Sequence, residues 1–271
     1  MIMRKSSKFI AAMAAVMMLA ASCGVVSFTG RRQMLLFSDS EIAALSEESY
    51  KEFMSTAKAS SDAQATQMLK GVGERMVSAL ESYMKAHNME SALQGLTWEF
   101  MLAESSEVNA FCMPTGKIVF YEGILEYADK PEYVAVVMGH EMAHAIARHG
   151  NERMSQQAAL NMAGAVAGEV IGAKRGTAAQ NLFNIGFGIG SQAGVLLPYS
   201  RKHEYEADYM GLVFMEIAGY DSESAVGFWT KMSSAGGSVP EFLSTHPSDG
   251  KRIAQIRQRI PEARSVAASL K

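Results

Sequence analysis

Apolar residues recur at helical spacing along most of this chain and alternate in only two short stretches. Ser38, followed three positions later by Glu41, is a capping-box pattern that opens an amphipathic helix to about Ala57. Met68, Val72, Met76 and Leu80 then fall near one face of a second helix, predicted from about Asp62 to His87. Thr97 to Leu102 alternates weakly and ends apolar. Lys117-Ile-Val-Phe-Tyr121 follows a turn marked by Pro114 and Gly116, and both stretches read as strands. Pro131 starts a helix over Glu132 to Arg148, and further helices are predicted near Ser200 to Ala218, Ser222 to Ser233 and Ser248 to Ile260. The fold class this implies is α+β, mainly α, with a small sheet.

Composition changes that picture at both ends of the pattern. Arg4, Lys5 and Lys8 precede an uncharged apolar run, Phe9 to Ala21, which is shorter than the roughly 20 residues a membrane span needs. Residues 1–22 therefore read as a signal peptide. Ala20, Ala21 and Ser22 before Cys23 resemble a bacterial lipobox, with Leu19 one position further from the cysteine than usual. Cys23 is the expected lipidation site, residues 23–37 a tether, and residues 38–271 the functional domain. Once Cys23 carries lipid, Cys112 has no intramolecular partner. No acidic run follows Cys23, so the expected location is the periplasmic face of the outer membrane. From Ala158 to Leu197 the chain turns to Ala, Gly and Met, with Gln180, Asn181, Asn184, Ser191 and Gln192 interrupting the apolar positions. A buried or lid-forming helical insertion that gates the cleft fits better than a membrane span. Gly186-Phe-Gly-Ile-Gly190 has no strand before it and the wrong spacing for a nucleotide loop. A formal net charge of −3 gives no field for nucleic acid, and no repeat is visible.

The chemistry concentrates in His140-Glu141-Met142-Ala143-His144. Residues four apart share a helical face, so both imidazoles can converge on one ion, and Glu141 can reach a water there as a general base. Tyr133, Val134, Val136, Val137, Ala143 and Ile146 make this helix core-like, and burying His, Glu and His in it is costly without a metal. His149 lies five steps on, about 140° off the ligand face, and is read as structural or at the surface. Glu204 is the expected third ligand, completing a His₂Glu site for one zinc ion with an open position for water. Asp208, four residues later, is placed to accept the free N–H of a zinc-bound histidine, first of all His140. Glu206 reads as a salt-bridge residue and the rival ligand, and His203 as solvated.

These segments, together with Asn109-Ala-Phe-Cys-Met-Pro-Thr-Gly-Lys-Ile-Val-Phe-Tyr-Glu-Gly-Ile-Leu125 and Ser244-Thr-His-Pro-Ser-Asp-Gly-Lys-Arg-Ile253, resemble metallopeptidase family forty-eight. That family includes the HtpX-like proteases, the CAAX prenyl endopeptidases and periplasmic lipoprotein relatives. The resemblance runs from about Thr29 to Ile260 with the motifs in the family's order. It implies a zincin fold of the gluzincin, minigluzincin-like type, with a small β-sheet packed on the HExxH helix. It also implies that Asn109, Ala110 and Phe111 lie on the edge strand that pairs with an extended substrate. His246 falls where the family has a histidine near the metal, either stabilising the oxyanion or sitting on zinc as a fourth ligand that holds the enzyme latent. Arg252 matches the family's downstream arginine, an ion-pair partner. The activity implied is zinc-dependent endopeptidase action on unfolded or misassembled envelope proteins. The rival is a metal-keeping chaperone or assembly factor of the envelope.

Overall fold

The computed structural model describes residues 23–166, 180, 183, 200–234, 240–246 and 251–269. Residues 1–22, on which the signal-peptide reading falls, and most of the 158–197 insertion lie outside them.

The chain begins with β1 (Cys23–Val25) and β2 (Arg32–Met34), an antiparallel pair in which Gly24 faces Gln33. This segment is not the tether expected from sequence. Val26 is buried in the main core, and the Phe28 ring stacks on Tyr83 and meets Phe214 edge-on. Two three-residue strands carry no periodicity, so their packing had no sequence signal.

Helices α1 (Asp39–Thr56) and α2 (Ala63–Ala86) follow. Ser38 and Glu41 form the full reciprocal capping box, and Asp62 caps α2 by accepting from the Ala65 amide at 2.9 Å. Leu69, Val72, Met76, Leu80 and Met84 of α2 face the core. After a 3₁₀ turn (Glu90–Leu93) come β3 (Glu99–Ala103), β4 (Ala110–Cys112) and β5 (Lys117–Tyr121). The sheet order is β3-β5-β4, with β3 parallel and β4 antiparallel to β5. β4 is therefore an edge. The Phe111 ring on β4 meets Phe53 of α1 edge-on at 5.3 Å, so α1 lies across the sheet's outer face.

The core is built from α3 (Pro131–Ile146), α5 (Arg201–Ile217), α6 (Ser224–Ser233) and α8 (Arg252–Ala268), with α4 (His149–Val166) between α3 and the insertion and α7 (Glu241–Thr245) before α8. Pro131 occupies the first turn of α3, where its missing N–H costs nothing. Twelve of the sixteen α3 residues are buried, so α3 is a central helix rather than an amphipathic surface one. Two described residues of the insertion pack locally. Gln180 donates to Ser49 of α1, and Phe183 sits with Ile42 and Met154. Among the described residues no helix is long and apolar enough to cross a membrane.

Candidate metal centre

His140 and His144 project from one face of α3, one turn apart. Glu204 comes from the first turn of α5, and His246 follows the end of α7. All four side chains are buried, and one ligand atom from each lies within 4.8 Å of the others. His140 Nε2 is 3.1 Å from both His144 Nε2 and His246 Nδ1. Glu204 Oε1 stands 3.4 Å from His144 Nε2 and 3.3 Å from His246 Nδ1, and Glu204 Oε2 is 3.5 Å from His140 Nε2.

This donor set fits a metal ion on its own geometry. Imidazole lone pairs cannot face each other at such distances without a proton or a cation between them. Tetrahedral ligand atoms at zinc's bond lengths of about 2.0–2.1 Å stand about 3.3 Å apart, close to the spacings observed. Glu204 Oε2 is buried and makes no hydrogen bond. Burial would raise the Glu204 carboxyl, but His246, His140 and His144 hold it well below the usual carboxylate range. An ionised carboxylate among imidazoles, with no thiolate, suits zinc.

Glu141 stands beside this set. Its Oε1 is 3.4 Å from His246 Nε2 and makes no hydrogen bond, while its carboxylate accepts from the Cys112 backbone amide on β4. Burial raises the Glu141 pKa against the positive fields of His246 and His140, and Glu204 adds to the rise. A buried carboxylate with a raised pKa and a spare oxygen is suited to taking and returning a proton.

The expected edge strand is present. Met113 and Tyr121 donate to Lys117 and Asn109 carbonyls, so Phe111 is the inward-bonded partner of Val119, and the backbone groups of Ala110 and Cys112 point away from β5. The Asn109 side chain caps the Ala110 amide at 2.9 Å. Phe242, at the start of α7, donates to the Val108 carbonyl at 3.0 Å, which hangs the His246 segment from the entrance to this edge.

Behind the ligand atoms lies a second tier of support. His140 Nδ1 donates to Asp208 Oδ1 at 3.0 Å, the pairing expected from the four-residue spacing. Arg252 donates to both Asp208 oxygens at 2.8 Å and to the His246 carbonyl at 3.1 Å. Burial alone would lower the His140 pKa, but Asp208 and Glu204 outweigh it and bring it to about 9. His144 goes the other way, held well below its usual value by burial.

Of the two remaining histidines near the site, His149 takes the structural one of its two expected places and His203 differs from its sequence reading. His149 is fully buried and not at the surface, with Nδ1 2.9 Å from His144 Nδ1 and Nε2 2.9 Å from Glu206. His203 is also buried rather than solvated. It stacks on His149 and pairs with Glu152 at 3.0 Å. Glu206 is the salt-bridge residue expected, bonded to Arg31 at 2.6 Å and to Thr29, and it is not among the clustered ligand atoms.

Comparison with known proteins agrees with this geometry. The model for Peptidase family M48 matches residues 63–260. Among curated relatives, a mitochondrial metalloendopeptidase OMA1 of Arabidopsis thaliana is 37% identical over 64% of this chain and 34% of its own length. The OMA1 of Schizosaccharomyces pombe is 36% identical over 64% of this chain and 50% of its own length. The beta-barrel assembly-enhancing protease of Escherichia coli is 28% identical over 73% of this chain and 39% of its own length. The chain thus spans about a third to a half of these relatives.

Proposed function

The chain belongs to peptidase family M48, and from that premise we propose that it is a zinc metalloendopeptidase acting on unfolded or misassembled cell-envelope proteins. The observation that carries this reading is the buried set His140, His144, Glu204 and His246 with the spare oxygen of Glu141 next to it. A zinc ion bound there would supply Lewis acidity toward the scissile carbonyl and the attacking water. His140, His144 and Glu204 hold it. Glu141, fixed by the Cys112 amide, takes the water's proton and returns it to the leaving amine. The outward carbonyls of Ala110 and Cys112, whose amides are held by Asn109 and Glu141, pair with an extended substrate, while Asn109 and Phe111 brace the strand. Protein substrates of the envelope fit the name of the Escherichia coli relative. A lipid on Cys23, at the periplasmic face of the outer membrane, is the location we propose.

His246 Nδ1 stands 3.1 Å from His140 Nε2 and 3.3 Å from Glu204 Oε1, so in a closed resting state it would be the fourth ligand and take the place of a substrate carbonyl. Opening moves α7 off the Val108 carbonyl. The same four-protein-ligand closure supports a second reading, a chaperone or assembly factor with a structural metal. The deciding experiment measures zinc content and casein cleavage for wild type and Glu141→Gln. One zinc in each and cleavage only by wild type establishes the peptidase. A Glu141→Gln variant that still restores a deletion strain favours the second reading, and a wild type that binds no zinc removes both.

A further inference from the structure

We infer that Glu206 and Arg31, neither of them a ligand, set the orientation and tautomer of His144 through His149, so that the N-terminal hairpin is part of the metal site's scaffold. The inference rests on the reading of His144 as a metal ligand.

His144 turns Nε2 toward His140 and Glu204, which leaves Nδ1 as the edge available for support. That nitrogen is 2.9 Å from His149 Nδ1, so one of the two must donate. The other nitrogen of His149 decides which. It is 2.9 Å from Glu206 Oε2, and an ionised carboxylate only accepts. His149 therefore carries its proton on Nε2, and its Nδ1 takes the Nδ1–H of His144. A histidine protonated on Nδ1 keeps its lone pair on Nε2, where a metal needs it.

Glu206 is in turn fixed from the hairpin. Arg31 Nε donates to Oε2 at 2.6 Å and the Thr29 hydroxyl donates to Oε1. The remaining guanidinium nitrogens of Arg31 bond Glu152 at 2.9 and 2.7 Å, which locks the fork across α4 and α5. The two histidine ligands are thus supported differently. His140 rests directly on the Asp208 carboxylate, whereas His144 reaches a carboxylate through a second imidazole. Thr29 and Arg31 precede the family match, which begins at residue 63, so this half of the support comes from outside it.

The test compares zinc affinity, by competition with a chromophoric chelator, for the full chain as wild type, Glu206→Gln, Arg31→Met and Lys117→Met. A glutamine at 206 can donate to His149 Nε2 and so reverse the relay. Glu206→Gln and Arg31→Met are expected to weaken zinc binding by about 10–100-fold. Lys117→Met removes a comparably buried cation, paired with Glu47 at 2.9 Å, that touches no member of the relay, and is expected to stay within about a factor of two. Equal weakening by all three variants would mean that the network acts only through stability, and the inference falls. If Arg31→Met fails to fold, Glu206→Gln against Lys117→Met decides. A metal-independent readout is the His144 tautomer from long-range proton–nitrogen spectra of the chelator-treated protein. It is expected to be Nδ1–H in wild type and altered in Glu206→Gln. An unaltered tautomer overturns the inference, whereas a wild type that binds no zinc removes both functional readings and leaves the relay to be decided by the tautomer.

Discussion

Gly139 and Gly211 meet backbone to backbone. A Cβ placed on Gly139 would stand 3.0 Å from the Gly211 carbonyl oxygen, and one on Gly211 would stand 3.1 Å from the Gly139 carbonyl carbon. The contact lies immediately before His140 and about one turn after Asp208, and it draws α3 and α5 close enough for that short carboxylate to reach His140. Both glycines are tolerated in helix interiors, at about 1 kcal/mol each, for this approach.

Gly139→Val is therefore expected to force the helices apart. Overpacking of this kind costs about 1–3 kcal/mol, roughly 2–12 °C in melting temperature for a domain of this size. The rise in melting temperature on adding zinc should shrink as well. Thermal unfolding with and without zinc measures both, and a zinc-induced rise equal to that of wild type would show that the contact does not set the site.

His246→Ala separates the two roles expected for that residue. If the closed form is populated about 90% of the time, opening it permanently raises casein cleavage by about tenfold. Zinc should bind more weakly with one ligand fewer. An oxyanion-stabilising His246 gives the opposite kinetic sign, a loss of kcat. Cleavage rates at saturating zinc distinguish them, and a lower kcat would end the latch reading.

Three of the clustered ligands and Asp208 were legible in the sequence because they fall in two pairs, each within one helix. His140 and His144, and Glu204 and Asp208, are four apart, and helical geometry alone puts each pair on a common face. His149 is structural, one of its two expected places, but not by the geometry expected. Its 140° offset assumes an unbroken helix, but α3 ends at Ile146 and Arg148 takes a left-handed φ of 55° before α4 begins at His149. That break swings His149 back beneath His144. No Gly or Pro marks it within residues 146–149, so the pattern of side chains gave no warning. Arg31 and His203 were out of reach for another reason, since their partners come from α4 and α5, more than 50 positions along the chain.

Arg252 is fully buried and faces two carboxylates at once. It donates to Asp208, lies 3.2 Å from Glu204 Oε2, and its guanidinium sits 3.5 Å over the Trp229 ring. Removing one partner of a buried ionic group costs about 3–5 kcal/mol, so Arg252→Met is expected to lose that much in denaturant unfolding of the metal-free protein. Arg252→Lys should recover little, because an ammonium cannot make the two-pronged contact with Asp208 or stack as a planar fork. A loss below about 1 kcal/mol for Arg252→Met would contradict the burial argument.

The metal-free protein should be most stable near neutral or slightly acid pH, with a different histidine limiting each side. His140 titrates at about 9 when folded, because Asp208 and Glu204 overcome its burial, against 6.5 as a free side chain. A pKa raised by folding contributes stability in full below the unfolded value and loses it as pH climbs toward the folded one. The chelator-treated protein should therefore weaken progressively from pH 6.5 to about 9. His149 is the reverse case. Burial lowers it to about 4, so its contribution is complete above pH 6.5 and disappears as the pH falls toward 4. Zinc needs His140 deprotonated and takes the place of its proton, so the stabilisation zinc confers should grow across the same alkaline window in which the metal-free protein weakens. Melting temperatures against pH, with chelator and with zinc, test this directly. A chelator-treated curve that stays flat or rises between pH 7 and about 9 would mean that His140 is not held as a cation by Asp208 and Glu204.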